Sequence, residues 1–537
     1  MSNFSRSQFV RKHVVATRTG VVAAQHRTAA EVGAAVLAAG GDAIDAAIAT
    51  SFAVGVVEPW MSGAAGGGAM TLWREDERKA YTIQFGMHSP AGLDPADYPL
   101  VGTGKASDLF SWPAVKDDRN VQGAAAIAVP GVVAGMELAH KRYGTIGWRE
   151  LLMPAVELAR QGSLVDWYAS LLIASTAREL SKDPDAAAMF LEEGQWPIIS
   201  PWTTLTSKRL DQTRLAQTML RLAEAGPRDF YEGDIAASLA ADVERKGGCL
   251  SRKDLAAYRA RLTPTLDVRY RGGIVHAAEG LTAGANLAQC LAMMEDAFTP
   301  GSTPDGNSFA ETARALRTTY SRRLAEMGDS DAPHAPSCTT HFSVVDAKGN
   351  MCAVTQTLLS IFGSRVVSPT TGLLMNNGIM WFDPEPGKPN SLAPGKACLM
   401  NVCPTIGEKD GRRFAIGASG GRKILPAMVN LISFMMDFGM SLEEAFHHPR
   451  IDNSGGGTII ADEDLSPDIL QALEAVGPTL TTKRTVFPYA FACPAGVMRL
   501  HGMNMGCTEI TSPWGDAVDE QSGCLRHPFK APTHATH

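Results

Sequence analysis

Ser337-Cys338-Thr339-Thr340-His341-Phe342-Ser343-Val344-Val345-Asp346, then Ala347-Lys348-Gly349-Asn350, then Met351-Cys352-Ala353-Val354-Thr355-Gln356-Thr357: the fold is decided in this stretch. Two runs rich in β-branched and aromatic residues flank a short loop whose Gly349 can take a positive φ, the pattern of a β-hairpin. With Asp346 facing Asn350, residues whose numbers share one sum pair across the hairpin, and Thr339 falls opposite Thr357. Directly opposed Cβ atoms lie ~4.5–5.5 Å apart, so two hydroxyls there can share a hydrogen bond. A glycine bulge would slip the register by one. Periodicity alone favours an ordinary hairpin carrying a Thr–Thr pair.

Working outward, Thr28-Ala29-Ala30-Glu31 reads as a capping box opening a helix over Val32–Ala39. Asp42 caps a second helix from Ala43 to about Val57, with small residues at Ala43, Ala46 and Ala47 for close packing on a sheet. Gly66-Gly67-Gly68 leads into a strand over Ala69–Trp73 without a following G-K-[ST], so a tight backbone crossing is expected and not a phosphate loop. On the far side, Arg412–Ser419 is a strand that turns through Gly420-Gly421 into a helix ending before Gly439. The first N–H groups of such a helix have no intrahelical acceptor and make an anion site. His447-His448 are adjacent on a helix, diverge, and read as surface residues, not metal ligands.

Thr339 to Asp346 with Gly349-Asn350 resembles the processing site of the γ-glutamyltransferase family of N-terminal nucleophile hydrolases. Gly40–Ala47, Ala128–Gly135 through Thr145, Arg228–Gly233, Gly247-Gly248, Asp254-Leu255 with Tyr258, and Tyr320-Ser321-Arg322 with Gly328–Asp331 extend the likeness. About 165–228 is the part least like the family; a mouth or lid and a surface elaboration are equally compatible with it. The resemblance implies an α+β chain in a four-layer αββα sandwich. It implies one precursor cut between Cys338 and Thr339, giving residues 1–338 and 339–537 as one interlocked unit. Thr339 is then both new N-terminus and nucleophile, Thr357 orients its hydroxyl, and the N–H groups of Gly420 and Gly421 hold the oxyanion. No cofactor or metal is implied. An α-amino group with a pKa of ~8 takes the hydroxyl proton near neutrality, so no histidine is needed.

The pocket departs from the γ-glutamyl pattern. Pro95 stands where the family places an arginine, Met400-Asn401 where it has Ser-Ser, Leu359 where it has an asparagine, and Trp381 where it has the acid for the α-ammonium. A zwitterionic glutamyl head buried there would leave its charges unpaired, which is costly. Trp381, Leu359 and Met400 instead predict an apolar pocket, with Asn401 and Arg365 as carboxylate holders; a surface charge is an equal reading of Arg365. Hydrolysis of a small amido-acid or an acylated amine is expected, with an oxamate-like substrate favoured over a glutaryl-type one.

Three rivals stand beside this reading. The first is a γ-glutamyltransferase proper. The second is an α/β-hydrolase, since Gly417-Ala418-Ser419-Gly420-Gly421 matches G-x-S-x-G and Asp452 or Asp462 with His501 can be nominated beside Ser419. The third is a non-catalytic scaffold that kept the fold.

Composition narrows the classes further. Hydrophobic residues at 45% and charged residues at 20% exclude a disordered chain. A net charge of −7 without a basic stripe gives nucleic acid no electrostatic footprint. The N-terminus lacks an apolar signal region and no run reaches membrane-spanning length, so a cytoplasmic protein is expected. Nine cysteines without C-x-x-C spacing read as reduced, mostly buried thiols, Cys338 included as a bystander at the cut. The expected partners are a small-molecule amide and the chain's own processed pieces, with a dimer of those heterodimers left open; nucleic acid and membrane are not expected.

Overall fold

The computed structural model describes residues 11–105, 112–200, 207–327, 338–454 and 457–526. The short polar stretch 328–337, whose composition reads as a linker leading to the cut, lies outside them. The hairpin forms as expected: Cys338–Val345 pairs antiparallel with Met351–Leu359, and Gly349 at its turn has φ 102°. From Thr340↔Gln356 to Val345↔Met351 the register is the anticipated one. The slip occurs at the other end, where Cys338 faces Leu359 and the extra residue falls on the partner strand, so that Thr357 and Leu358 together oppose Thr339.

This hairpin is the centre of a seven-stranded sheet. Its order is Arg261–Pro264, Lys79–Phe85, Gly67–Arg74, Met351–Leu359, Cys338–Val345, Val21–Ala24, Asp516–Asp519. A second seven-stranded sheet runs Val15–Thr17, Met503–Thr508, Cys493–Leu500, Arg412–Ser419, Thr405–Lys409, Gly273–Ala277, Leu266–Tyr270. Alternation sorts each strand's side chains between two faces. Phe342, Val344, Cys352 and Val354 point outward onto the helices Arg27–Ala38 and Ala43–Val57. Val345, Met351 and Ala353 point inward to meet Ala415, Ala495 and Val497 of the second sheet. The outer face of that sheet, with Phe414, Ile416 and Ala418, is covered by the helices Gly284–Ala297, Gly306–Met327 and Ile424–Met436. Helices, two facing sheets and helices make the αββα sandwich.

Local chemistry explains the elements. Asp42 accepts from the N–H groups of Ile44 and Asp45, and Asp45 answers with a bond from the Asp42 N–H, so the second helix starts where expected. The first helix begins earlier than Thr28 would suggest. His26 is its cap, accepting from the Thr28 N–H at 3.2 Å, and Arg27 enters the helix to pair with Glu31 one turn on at 2.9 Å. That i,i+4 pair uses the carboxylate that a capping box at Thr28 would have needed. The glycine run is the tight crossing its composition implied: a Cβ on Gly66 would lie 2.4 Å from the Thr357 carbonyl oxygen, and one on Gly68 2.1 Å from that of Thr355.

The region between 163 and 210 supplies the helices Trp167–Leu180 and Pro184–Phe190. They pack on Trp60, Leu358 and Phe362, beside the end of the hairpin that carries Thr357. This segment is therefore a wall next to the site. Among the described residues no helix is long and apolar enough to cross a membrane.

Candidate active site

The inner face of the hairpin carries Thr339, His341 and Ser343 on one strand and Thr355 and Thr357 on the other. Thr339 lies opposite the bulge of Thr357 and Leu358, the device that re-aims side chains where a ladder is interrupted. Its hydroxyl donates to Thr357 Oγ1 at 3.4 Å, a long bond of the kind catalytic pairs show before substrate tightens them. Thr357 Oγ1 also accepts the Leu359 N–H at 2.8 Å. Leu359 itself sits at φ 88°, a conformation costly for a leucine and typical of functional sites. Thr339 and Thr357 are 3% and 0% exposed, so the pair is shielded from bulk water.

Two contacts fix the second sheet over the first. His341 packs on Gly417, where a Cβ would fall 2.3 Å from the imidazole. At the hairpin's turn, Asn504 donates to the Asp346 carbonyl at 3.0 Å and Gly349 lies against Arg499, which pairs in register with Arg413. The facing strands therefore run in opposite senses, and stepping back from His341 to Thr339 is stepping forward from Gly417 to Ser419 and Gly420. The Gly420-Gly421 turn thus stands at the Thr339 end of the gap. Both glycines have positive φ, 138° and 55°, as a turn this abrupt between strand and helix requires. His341 stays neutral: burial lowers its pKa to about 3, and its ring nitrogens bond Thr355 and Ser343.

The proposed pocket residues divide. Leu359, Trp381 and Met400 share one buried apolar cluster with Met87, Trp112 and Val402. Asn401, 5% exposed, borders it through Met400. Arg365 is a polar neighbour of the same cluster, of which Val121 is a member. It is buried, not on the surface, at φ 60°, with Nη1 donating to the Val121 carbonyl at 3.1 Å. Pro95 lies on an exposed turn. His447 and His448 each bond a backbone carbonyl through Nδ1. Among the described residues no group of three or more His, Cys, Asp or Glu is placed to hold a metal ion.

The elbow rival loses its geometry. Ser419 pairs with Cys493 at one end of its strand, whereas His501 sits in the turn beyond Leu500, which pairs with Arg412 at the other end. Seven residues of strand separate those ends, roughly 23 Å. Asp462 is engaged by Arg484 at 2.8 Å. Among the described residues no triad forms around Ser419.

A family model described as Gamma-glutamyltranspeptidase matches residues 29–338 and 333–492, two blocks that meet at the head of the hairpin. The chain belongs to the γ-glutamyltranspeptidase family. Acylase ACY 1 proenzyme of Pseudomonas sp. (strain V22) is 33% identical over 501 residues, covering 85% of this chain and 86% of that one. Glutathione hydrolase proenzyme of Escherichia coli (strain K12) is 30% identical over 531 residues, covering 88% of each. A solved cephalosporin acylase from Bacillus halodurans superposes with a TM-score of 0.80 over 96% of this chain and 99% of its own at 23% identity, a likeness of fold. The chain is thus an enzyme of the γ-glutamyltranspeptidase and acylase group.

Sequence reasoning missed the support behind the nucleophile. Thr340 points to the helix layer and donates to Glu58 Oε2 at 2.8 Å, while Gln25 donates through Nε2 to the carbonyl of Cys493, the partner of Ser419. Burial raises the Glu58 carboxyl to about 7, against the partial relief given by the Thr340 bond. A carboxyl raised by the fold contributes stability present below its unfolded value near 4.5 and lost as pH climbs through about 7. Glu58→Gln keeps an acceptor for Thr340 but never charges. We expect it to be more stable than the parent at pH 8 by about 3 kcal/mol, with the gap closing by pH 4.5. Thermal melts across pH check this; a gap that does not change with pH would contradict it.

Proposed function

We propose that the chain is a self-processing amidohydrolase whose nucleophile is Thr339, freed at its own N-terminus by cleavage after Cys338. The reading is carried by one observation: Thr339 faces the bulge of Thr357 and Leu358, its hydroxyl 3.4 Å from that of Thr357, at the end of the inter-sheet gap shared with the Gly420-Gly421 turn. In the cut form the α-amine takes the hydroxyl proton, Oγ1 attacks the amide carbonyl, and the amine leaves with that proton. Water then releases the acid from the ester and restores the Thr339 hydroxyl. The N–H groups of Gly420 and Gly421 stabilise the oxyanion of both steps. Residues 1–338 and 339–537 remain together, because each sheet contains strands from both pieces. The seven cysteines with described side chains are free thiols, which supports a cytoplasmic site of action.

The substrate is an acylated amine or small amido-acid, not a γ-glutamyl compound. The buried cluster around Trp381 and Leu359 supports this, as does the acylase name of a relative at 33% identity. A panel of oxamate, glutaryl, valeryl and γ-glutamyl amides, assayed for released amine, tests it. We expect γ-glutamyl-4-nitroanilide to be turned over at least tenfold less efficiently than the best acyl amide. Efficient turnover of it would restore the γ-glutamyltransferase reading.

A further inference from the structure

Thr340, the residue after the nucleophile, is fully buried and has two acceptors within reach. Its Oγ1 lies 2.8 Å from Glu58 Oε2 and 3.4 Å from Gln25 Oε1. Gln25 is itself 6% exposed and follows the strand Val21–Ala24, the neighbour of the strand that carries Thr339. Its Nε2 donates at 2.5 Å to the carbonyl of Cys493, which begins a strand of the second sheet and pairs there with Ser419. A carbonyl has no hydrogen to give, so the NH2 of Gln25 must meet Cys493 and its oxygen is left for Thr340. A hydroxyl has one hydrogen for its two acceptors. Burial raises the Glu58 carboxyl to about 7, and a protonated Glu58 gives its own hydrogen to Thr340 and leaves that of Thr340 to Gln25. One buried amide thus spans the gap between the sheets. Its oxygen end is on the residue after Thr339, and its NH2 end is on the strand partner of the residue before Gly420.

We infer that Gln25 is a positioning residue, the bridge that holds the Thr339 hydroxyl and the Gly420-Gly421 N–H groups at the separation the reaction needs. The two parts ride on different sheets, and facing sheets meet through side chains alone. At this level the second sheet offers Ala415, Gly417 and Ala495, small surfaces with little to stop a slide. Apolar contact is non-directional, whereas a hydrogen bond at each end of one side chain fixes a distance. A displacement of about 1 Å between reacting groups costs on the order of 10²-fold in rate. Gln25 acts through Thr340 and Cys493 and not on the reacting atoms. This inference rests on the Thr339 amidohydrolase reading and deepens it.

The test is steady-state kinetics on the cut fractions of the parent, Gln25→Met, Thr340→Val and Thr340→Ser, with the best amide of the panel. Gln25→Met keeps the length of the side chain and loses both hydrogen bonds; kcat should fall at least tenfold while KM stays within about twofold. Thr340→Val should behave alike, and Thr340→Ser, which keeps the hydroxyl, should recover most of the loss. Both ends belong to one bridge, so the double variant Gln25→Met/Thr340→Val should be at most about threefold slower than the worse single, whereas independent losses multiply. A Gln25→Met enzyme with kcat within about twofold of the parent, or losses that multiply, overturns the inference. Hydrogen exchange on uncut Thr339→Ala protein, with and without Gln25→Met, reads the bridge without turnover. The peptide covering 417–423 should exchange at least tenfold faster without Gln25, and unchanged exchange overturns the inference. Turnover by Thr339→Ala, or none by the parent, marks failure of the Thr339 reading, and the exchange measurement then decides the bridge alone. Should Gln25→Met not fold, Gln25→Asn, one methylene too short to reach both ends, takes its place in both measurements with the same expected outcomes.

Discussion

Thr339→Ala is expected to remain a single full-length chain and to release no amine from any amide in the panel. The same hydroxyl is asked to do two things, to open the bond after Cys338 and to attack substrate, and no neighbour stands in for it. Thr357 Oγ1 is held by the Leu359 N–H at 2.8 Å, and His341 is neutral and bonded at both nitrogens. Loss of a nucleophile costs on the order of 10⁴-fold or more in kcat where it has been isolated from its partners. Ser419 makes the fitting control. It ends the facing strand and is 8% exposed, yet His501 is at the strand's other end. Ser419→Ala should therefore be cut normally and keep most of the activity. Mass spectrometry of the purified proteins reads the first outcome and amine release the second. A processed and active Thr339→Ala protein would end the account, and so would a parent enzyme fully active while Thr339 is still in peptide linkage.

Much of the fold was legible because its signals are local. The hairpin register follows from the position of the Asp346–Asn350 turn, the helix over Ala43–Val57 from the Asp42 capping box, and the close crossing from three consecutive glycines. Thr28 misled because two rules share Glu31: the capping-box pattern claims it, but Arg27 reaches it first from one turn earlier. The bulge opposite Thr339 has no sequence signal, since the residues that form it, Thr357 and Leu358, are not glycines. Contacts between distant segments were invisible for a different reason. Thr340 meets Glu58 across 282 residues and Asn401 meets Arg323 across 78, and nothing in either stretch names its partner. Arg365 shows the limit from the other side. A charged residue near a turn reads equally as a ligand holder or a surface group, and its burial against the Val121 carbonyl removes only the surface reading. Of the pocket, the apolar members could be read from their type, whereas the direction in which Asn401 donates depends on a cation from another helix.

Gly420→Ala should fold and bind substrate yet lose ~10²–10³ in kcat, the cost of one oxyanion donor. The backbone there has φ 138° and ψ 21°, a conformation that side chains rarely adopt and that costs of order 1–3 kcal/mol when they do. An added Cβ would also lie 2.9 Å from the Cα and Cβ of Ala492. Ala492 cannot simply retreat. The segment before it is tied down by Lys423, whose Nζ donates to the carbonyls of Tyr489 and Ala490, and its own carbonyl accepts from the buried Arg450. The turn must move instead, and the N–H groups at its head move with it. An oxyanion exists only in the transition state and the intermediate, so a displaced donor lowers kcat and leaves KM nearly unchanged. Steady-state kinetics on the cut fraction separate this from a packing defect, which would raise KM or lower the melting temperature without a selective loss of kcat. If kcat survives within a few fold while the melt shows an altered turn, the oxyanion is held elsewhere and the assignment of Gly420 falls, though the role of Thr339 does not.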